Sequence, residues 1–215
     1  MIVFPRAMPR VGIINCRFEI ERVDFLSPEA GGRLGGVTAG WPLWHMNLDL
    51  QNMAGEIGDE WSSWKDSLRG AQRRFLACNV TRSVPRHHKG GRPFTALPAS
   101  WSQEIDAEDN QVLTLHDVLP GMVLSKRDMI GFEWDGFKRS LVRVVEGGVA
   151  GLDQDLTVTV EPPIPDMTPS DAQANLYRPT CLMRLVAEET EIMTEALGGY
   201  VPAGSRIGAV QDLVA

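Results

Sequence analysis

Along most of the chain, apolar and polar positions alternate in short runs of period two, broken by turn residues. The clearest run is "WHMNLDLQNM", where Trp44, Met46, Leu48 and Leu50 alternate with His45, Asn47, Asp49 and Gln51. That pattern predicts a strand with one apolar face and one wet face. Ahead of it, "NCRFEIERVDFLS" has high strand propensity, yet Phe18 and Ile20 share one parity while Val23 and Phe25 share the other. A regular strand cannot place both pairs on one face, so a bulge or bend is expected near Glu21–Arg22. The "PEAGGRLGG" stretch between the two runs is a turn-rich connection.

One segment changes period. In "DEWSSWKDSLRGAQRRF", Ile57 (just upstream), Trp61, Trp64 and Leu68 fall at i, i+4, i+7 and i+11, one stripe of a helix. Asp59 is the expected N-cap and Gly70 the stop just past the end. The predicted helix is about 11 residues, roughly 16 Å long, too short to hold in water unless its stripe docks. The two tryptophans are either a ligand platform or a plug for a core. Burying one indole removes about 150–250 Å² from water, roughly 4–6 kcal/mol gross at about 25 cal/mol per Å². That magnitude favours the plug, so Trp61, Trp64, Leu68 and Ile57, with Trp44 and Leu48, are the expected core.

Further strands follow in "RRFLACNV", "QVLTLHDV" and "DLTVTVEPP". A hairpin is expected across Trp134-Asp135-Gly136-Phe137, with its return strand on Leu141 to Val145. "NLYRPTCLMRLVAEE" carries one or two more. The tail from Thr190 is ambiguous, with a short helix or strand expected near Glu191 to Leu197 ahead of a Gly/Pro-broken end. Thr81–Trp101 is a long loop with three prolines and four basic residues, and loops of that length inside compact domains are usually functional or disordered. The pattern thus predicts a mainly β fold with one helix and long loops. A length of 215 residues with 14 prolines and 21 glycines fits one elaborated β domain over 1–215, with a core of about 13–187 and a C-terminal arm of about 188–215.

A net charge of −7 argues against a general nucleic-acid binder, which needs a basic surface to displace counterions. Cys16, Cys78 and Cys181 are widely spaced and form no zinc pattern, so reduced, mostly buried thiols are expected. No apolar run is long enough for a membrane-spanning helix. Local motifs for phosphate loops, serine nucleophiles and zinc hydrolases are missing. The adjacent His87 and His88 sit beside Arg86 and Lys89, whose charges would repel a metal cation; a basic loop in solvent or against an acidic partner fits better. "EIDAEDNQ" lacks calcium-loop spacing and reads as a solvated acidic loop. Glu133 and Asp135 flank Trp134, a pairing that would need a cleft to act on a glycan.

Two stretches together resemble the distal tail proteins of long, flexible-tailed bacteriophages. The first is "WPLWHMNLDLQNM", then "EWSSWKDSLRG", then "RRFLACN" with a proline-bearing loop. The second is "LSKRDMIGFEWDGFKRSLVRVVEGGVAGLDQDLTVTVEPPIP" followed by "ANLYRPTCLMRLV". The resemblance spans roughly Trp41 to Val186. It departs at Arg127, where glycine is common before the aspartate, and at Ile164-Pro165, where Leu-Arg is usual. It implies an antiparallel β-sandwich or barrel of the tail-tube type with one flanking helix. Six copies would form a ring at the tail tip of the virion, assembled in the host cytoplasm, between the tail tube protein and the tip hub protein. DNA would pass through the lumen without specific binding. Neither catalysis, cofactor, metal nor membrane is implied. Subunit contacts are expected from the Thr81–Trp101 loop, through Arg82, Arg86, His87, His88, Lys89 and Arg92, and from Tyr200 in the C-terminal arm. The alternative is a carbohydrate-binding module using Trp44, Trp101 or Trp134 as stacking platforms; a glycan-cleaving enzyme using Glu133 and Asp135 is a third reading.

Overall fold

The computed structural model describes residues 3–28, 34–51, 53–192, 200–201 and 204–213. The first part of the chain holds β1 (Arg6–Ala7), β2 (Ile13–Pro28), β3 (Leu34–Leu50), β4 (Met53–Ala54), the helix α1 (Glu56–Leu68) and β5 (Phe75–Cys78). After the long loop come β6 (Ser100–Ile105), β7 (Gln111–His116), β8 (Val123–Leu124), β9 (Met129–Trp134), β10 (Lys138–Glu146) and β11 (Gly148–Val149). The last elements are β12 (Leu156–Glu161), β13 (Gln173–Asn175), β14 (Thr180–Leu185), β15 (Tyr200–Val201) and β16 (Arg206–Gln211). Among the described residues the fold is mainly β with one α-helix, as the alternation predicts.

Two six-stranded sheets, in the orders β1-β5-β14-β16-β3-β2 and β13-β9-β10-β12-β7-β6, organise most of these elements, and β8-β11 and β4-β15 form two small two-stranded sheets. β1 runs parallel to β5, and the other neighbours pair antiparallel. Each six-stranded sheet builds its own core. In the first, register aligns Met46 with Ala209 and Leu48 with Ile207, then Ala209 with Leu185, and Met183 with Phe75. Trp44, Met46, Leu48 and Leu50 share that apolar face and are all buried, while Asn47 faces out. In the second, Trp101, Leu115 and Leu156 lie side by side across three strands. Loop residues Val118, Met122, Ala150, Ile164 and Leu176 cover this face.

α1 closes the first core. Trp61, Trp64 and Leu68 are fully buried. Trp61 meets Trp64 edge-on at 5.6 Å, and Trp64 meets Phe75 of the sheet at 4.9 Å. The Trp61 indole N–H donates to Val11 O at 2.8 Å. The plug reading therefore holds for both indoles. Two details differ. Ile57 is 36 % exposed, because Gly58 rather than Ile57 occupies the inward position of the first turn. Asp59 does not cap the helix; Gly55, at φ 57°, is the N-cap, and Asp59 lies in the first turn, where its carboxylate faces the positive helix end. The C-terminal stop is as expected: Arg69 and Gly70 both turn left-handed, at φ 54° and 66°.

The bend expected near Glu21–Arg22 is a register shift between Glu21 and Val23. The 134–137 hairpin is present, with Asp135 and Gly136 at positive φ between β9 and β10. The expected C-terminal arm needs correction. Residues 206–211 form β16, an interior strand of the first sheet, and Ile207 and Ala209 are fully buried. The segment completes the fold instead of leaving it. Deleting Gly199–Ala215 removes this strand, and circular dichroism should show loss of the cooperative unfolding transition.

Two of the buried indoles differ in what their N–H finds. Trp44 Nε1 donates to Leu141 O at 2.7 Å, whereas Trp64 Nε1 is buried without a hydrogen-bond partner. Phenylalanine removes the N–H in both cases but orphans a buried carbonyl only at Trp44. Trp44→Phe should therefore destabilise the protein more than Trp64→Phe, by about 1–3 kcal/mol. Chemical denaturation of both variants checks the order.

Candidate assembly surface

Three surface features stand out: the long loop after β5, the far end of the β2–β3 ribbon, and a cleft rich in arginine. The loop is pinned by one buried carboxylate. Asp128, on the β8–β9 turn, accepts from Ser125 N at 2.8 Å and Arg86 N at 2.9 Å, and Arg82 lies 3.4 Å away. Burial pushes the Asp128 carboxyl above its ordinary value, against the opposing pull of these partners. His88 is buried, and its Nε2 accepts from Val123 N at 3.1 Å. It is an internal anchor of the loop, so the expectation that it faces a partner is corrected. Arg82 is half-buried and spent on Asp128. Arg86, His87, Lys89 and Arg92 are exposed, as an interface would need. Lys89 Nζ donates to Thr81 O, and Arg92 sits 3.3 Å from His87. The Tyr200 backbone pairs with Ala54 in the small β4–β15 sheet; its side chain lies outside the described residues.

The second feature was not singled out by sequence. Past the register shift, β2 and β3 continue together as a two-stranded ribbon. Val23 sits opposite Ala39 and Phe25 opposite Val37. Opposed residues share a face, so these four form one apolar patch. Val23, Phe25 and Val37 are 57 %, 62 % and 68 % exposed. The root of the ribbon is tied to the second sheet by Arg22–Glu161 at 2.6 Å. Nearby, Glu19 bridges Arg143 at 3.1 Å and Arg127 at 3.3 Å. Burial raises the Glu19 carboxyl, but the two arginines outweigh it and hold the group below its ordinary value. The available sequence signal was the parity switch itself, since a pair that leaves the core face has to find another.

The third feature is a cleft of about 400 Å³ lined by Phe4, Pro5, Gln72, Arg73, Arg74, Phe137, Leu182 and Arg184. Arg74 Nε and Arg184 Nε both donate to Asp212 Oδ2, the latter at 2.6 Å. Arg184 Nη1 also reaches Ala71 O at 2.7 Å. The Arg73 guanidinium lies 4.5 Å over the Phe4 ring and donates to Ser67 O at 2.9 Å. No local motif could reveal this site, because its residues come from four separate stretches.

The groups weighed for other chemistry are accounted for within the chain. Trp44 and Trp101 are buried, with their N–H groups bonded to Leu141 O and Ala172 O, so neither can stack on a sugar. Trp134 is half-buried against the second core. Glu133 is bound by Asn175 at 2.8 Å and Arg139 at 3.2 Å, and Asp135 by Lys138 at 3.1 Å. Cys78 and Cys181 are buried and Cys16 half-buried. Burial pushes the Cys16 thiol up to about 11 and raises the other two as well. No helix among the described residues is long and apolar enough to cross a membrane.

For Asp212, burial alone would raise the carboxyl, but the Arg74 and Arg184 hydrogen bonds and charges prevail and hold it below the ordinary 3.8. A depressed folded value means its stabilisation is complete above the unfolded value and is lost as pH falls through the folded one. Wild type should therefore exceed Asp212→Asn in stability at neutral pH, and the gap should close below about pH 4. Melting temperatures of both proteins across that range test it. No known protein family and no curated protein matches this chain.

Proposed function

We propose that this protein is a structural component of a phage virion, assembling with copies of itself into a ring at the distal end of the tail, between tail tube and tip hub. The observation that carries the reading is the apolar ribbon. A two-stranded ribbon is marginal by itself in water, and an exposed patch of Val23, Phe25, Val37 and Ala39 is the kind of surface that a partner covers. The mainly β fold, with a single docked helix among the described residues, is in keeping with the resemblance in the sequence. An acidic chain, at −7, suits a lumen through which DNA passes without adhering.

Imaging of intact particles is the direct test: the chain should appear as a symmetric ring, with a mass near six times 23.7 kDa. The ribbon itself is tested by Phe25→Asp combined with Val37→Asp. Neither residue belongs to a core, so stability should change by no more than about 0.5 kcal/mol per site, while sedimentation shifts toward monomer. Unchanged assembly would remove the ribbon from the account.

One observation favours carbohydrate binding as a second reading. Trp41, at 39 % exposure, shares a groove with Gln103, Glu104, Gln111 and Asp166, an aromatic face beside polar groups. Glycan affinity lost in Trp41→Ala would support it, and a glycan array with no hits would dismiss it.

A further inference from the structure

The chain is acidic overall, yet the cleft at Arg73, Arg74 and Arg184 gathers three arginines, each held by a named partner. Arg74 and Arg184 share one carboxylate, Asp212, and Arg73 adds a third guanidinium, which leaves a local surplus of two positive charges. Arg73 has no carboxylate partner among the described residues, and its guanidinium is held in place by the Phe4 ring and Ser67 O. Phe137 at the β9–β10 tip is exposed, and Leu182 adds a further apolar wall. Such a site fits an apolar side chain flanked by carboxylates.

The same chain displays that complement. The β6–β7 turn carries Glu104, Asp106, Glu108 and Asp109 around Ile105, which is 67 % exposed. Among the described residues none of these four carboxylates is in an ion pair. The turn is braced from within: Asp106 Oδ1 accepts from Asn110 N at 2.7 Å and Glu108 N at 3.0 Å. Little ordering is left to do on binding.

Within one molecule the two surfaces lie apart. The order β10-β12-β7-β6 separates the Phe137 hairpin from the acidic turn by three strand spacings, roughly 14 Å at about 4.8 Å each. The rest of the cleft lies around β5 and β14 of the other sheet. We propose that the acidic β6–β7 turn of one copy seats in the arginine–phenylalanine cleft of the next. The contact is heterologous, so it builds a ring when the rotation from copy to copy closes on itself. It rests on the self-assembly reading and names the charged surfaces that set the direction of that assembly.

The test uses the full chain in two assays. In the first, sedimentation velocity at low salt compares wild type with Arg73→Glu, Glu108→Arg and the double variant. Each single reversal should weaken association by about tenfold or more through like-charge contact, and the double should regain most of it. Raised salt should weaken wild type too. In the second, anisotropy follows a labelled, cyclised peptide of residues 103–111 binding to the full chain, with affinity lost in Arg73→Glu and partly kept in Arg73→Gln. Thermal melts confirm that each variant folds. If the chain associates but ignores the charge reversals and the peptide, this contact is wrong and self-assembly stands. If the peptide binds but the chain never associates, the cleft takes an acidic segment of another protein and the second-copy proposal fails with the ring reading. If neither occurs, both are overturned.

Discussion

Two sheets that each own a core must be joined somewhere, and at the centre of the buried part of that join is the indole of Trp44. Its N–H crosses from β3 to donate to Leu141 O on β10, in the second sheet, while its ring packs on Phe18 at 5.4 Å. Its backbone N–H is received by Gln211 Oε1 on β16. The Arg143 guanidinium lies 5.4 Å over the same ring and reaches on to Glu19. One side chain thus fixes how β3, β10 and β2 sit relative to one another. Leu141 and Met129, on the far side of the second sheet, complete the first core at this seam. The ribbon is the continuation of β2 and β3 past the seam, so its direction is inherited from the same contact.

Much of this was legible because alternation and burial coincide. β3 has one buried face and one wet face, and its period of two says so directly. α1 was legible because its stripe has only one docking option. β16 was not. Ile207, Gly208 and Ala209 are all buried, so an interior strand flanked by glycine and proline shows no alternation and resembles a loose tail. Ile57 was misplaced for a related reason, since a helical wheel gives the direction of a stripe but not where the covered surface ends. His88 read as one more member of a basic loop. Its role depends on Val123, 35 positions onward, and no local window contains that partner.

The candidate surfaces divide along the same line. The parity switch before Val23 carried a readable signal, because two pairs on opposite faces need two environments. The arginine cleft carried none. Phe4, the 72–74 turn, the 137 hairpin tip and β14 meet only in three dimensions, and each fragment alone looks like ordinary surface.

Apolar and charged surfaces contribute differently to an assembly. The ribbon supplies area whose attraction is non-directional and is not screened by salt as a charge pair is. It favours contact without choosing among orientations. The Asp128 node shows how the chain keeps charge from doing the same work indiscriminately. It absorbs Arg82 and two backbone N–H groups internally, which leaves Arg86, Lys89 and Arg92 outward on a loop whose path is fixed. At the cleft, Asp212 pairs with Arg74 and Arg184 and leaves Arg73 presented beside them from a defined geometry. Internal carboxylates therefore set how much positive charge each surface retains, and that remainder, set against an acidic chain, is what can select one docking direction over its reverse.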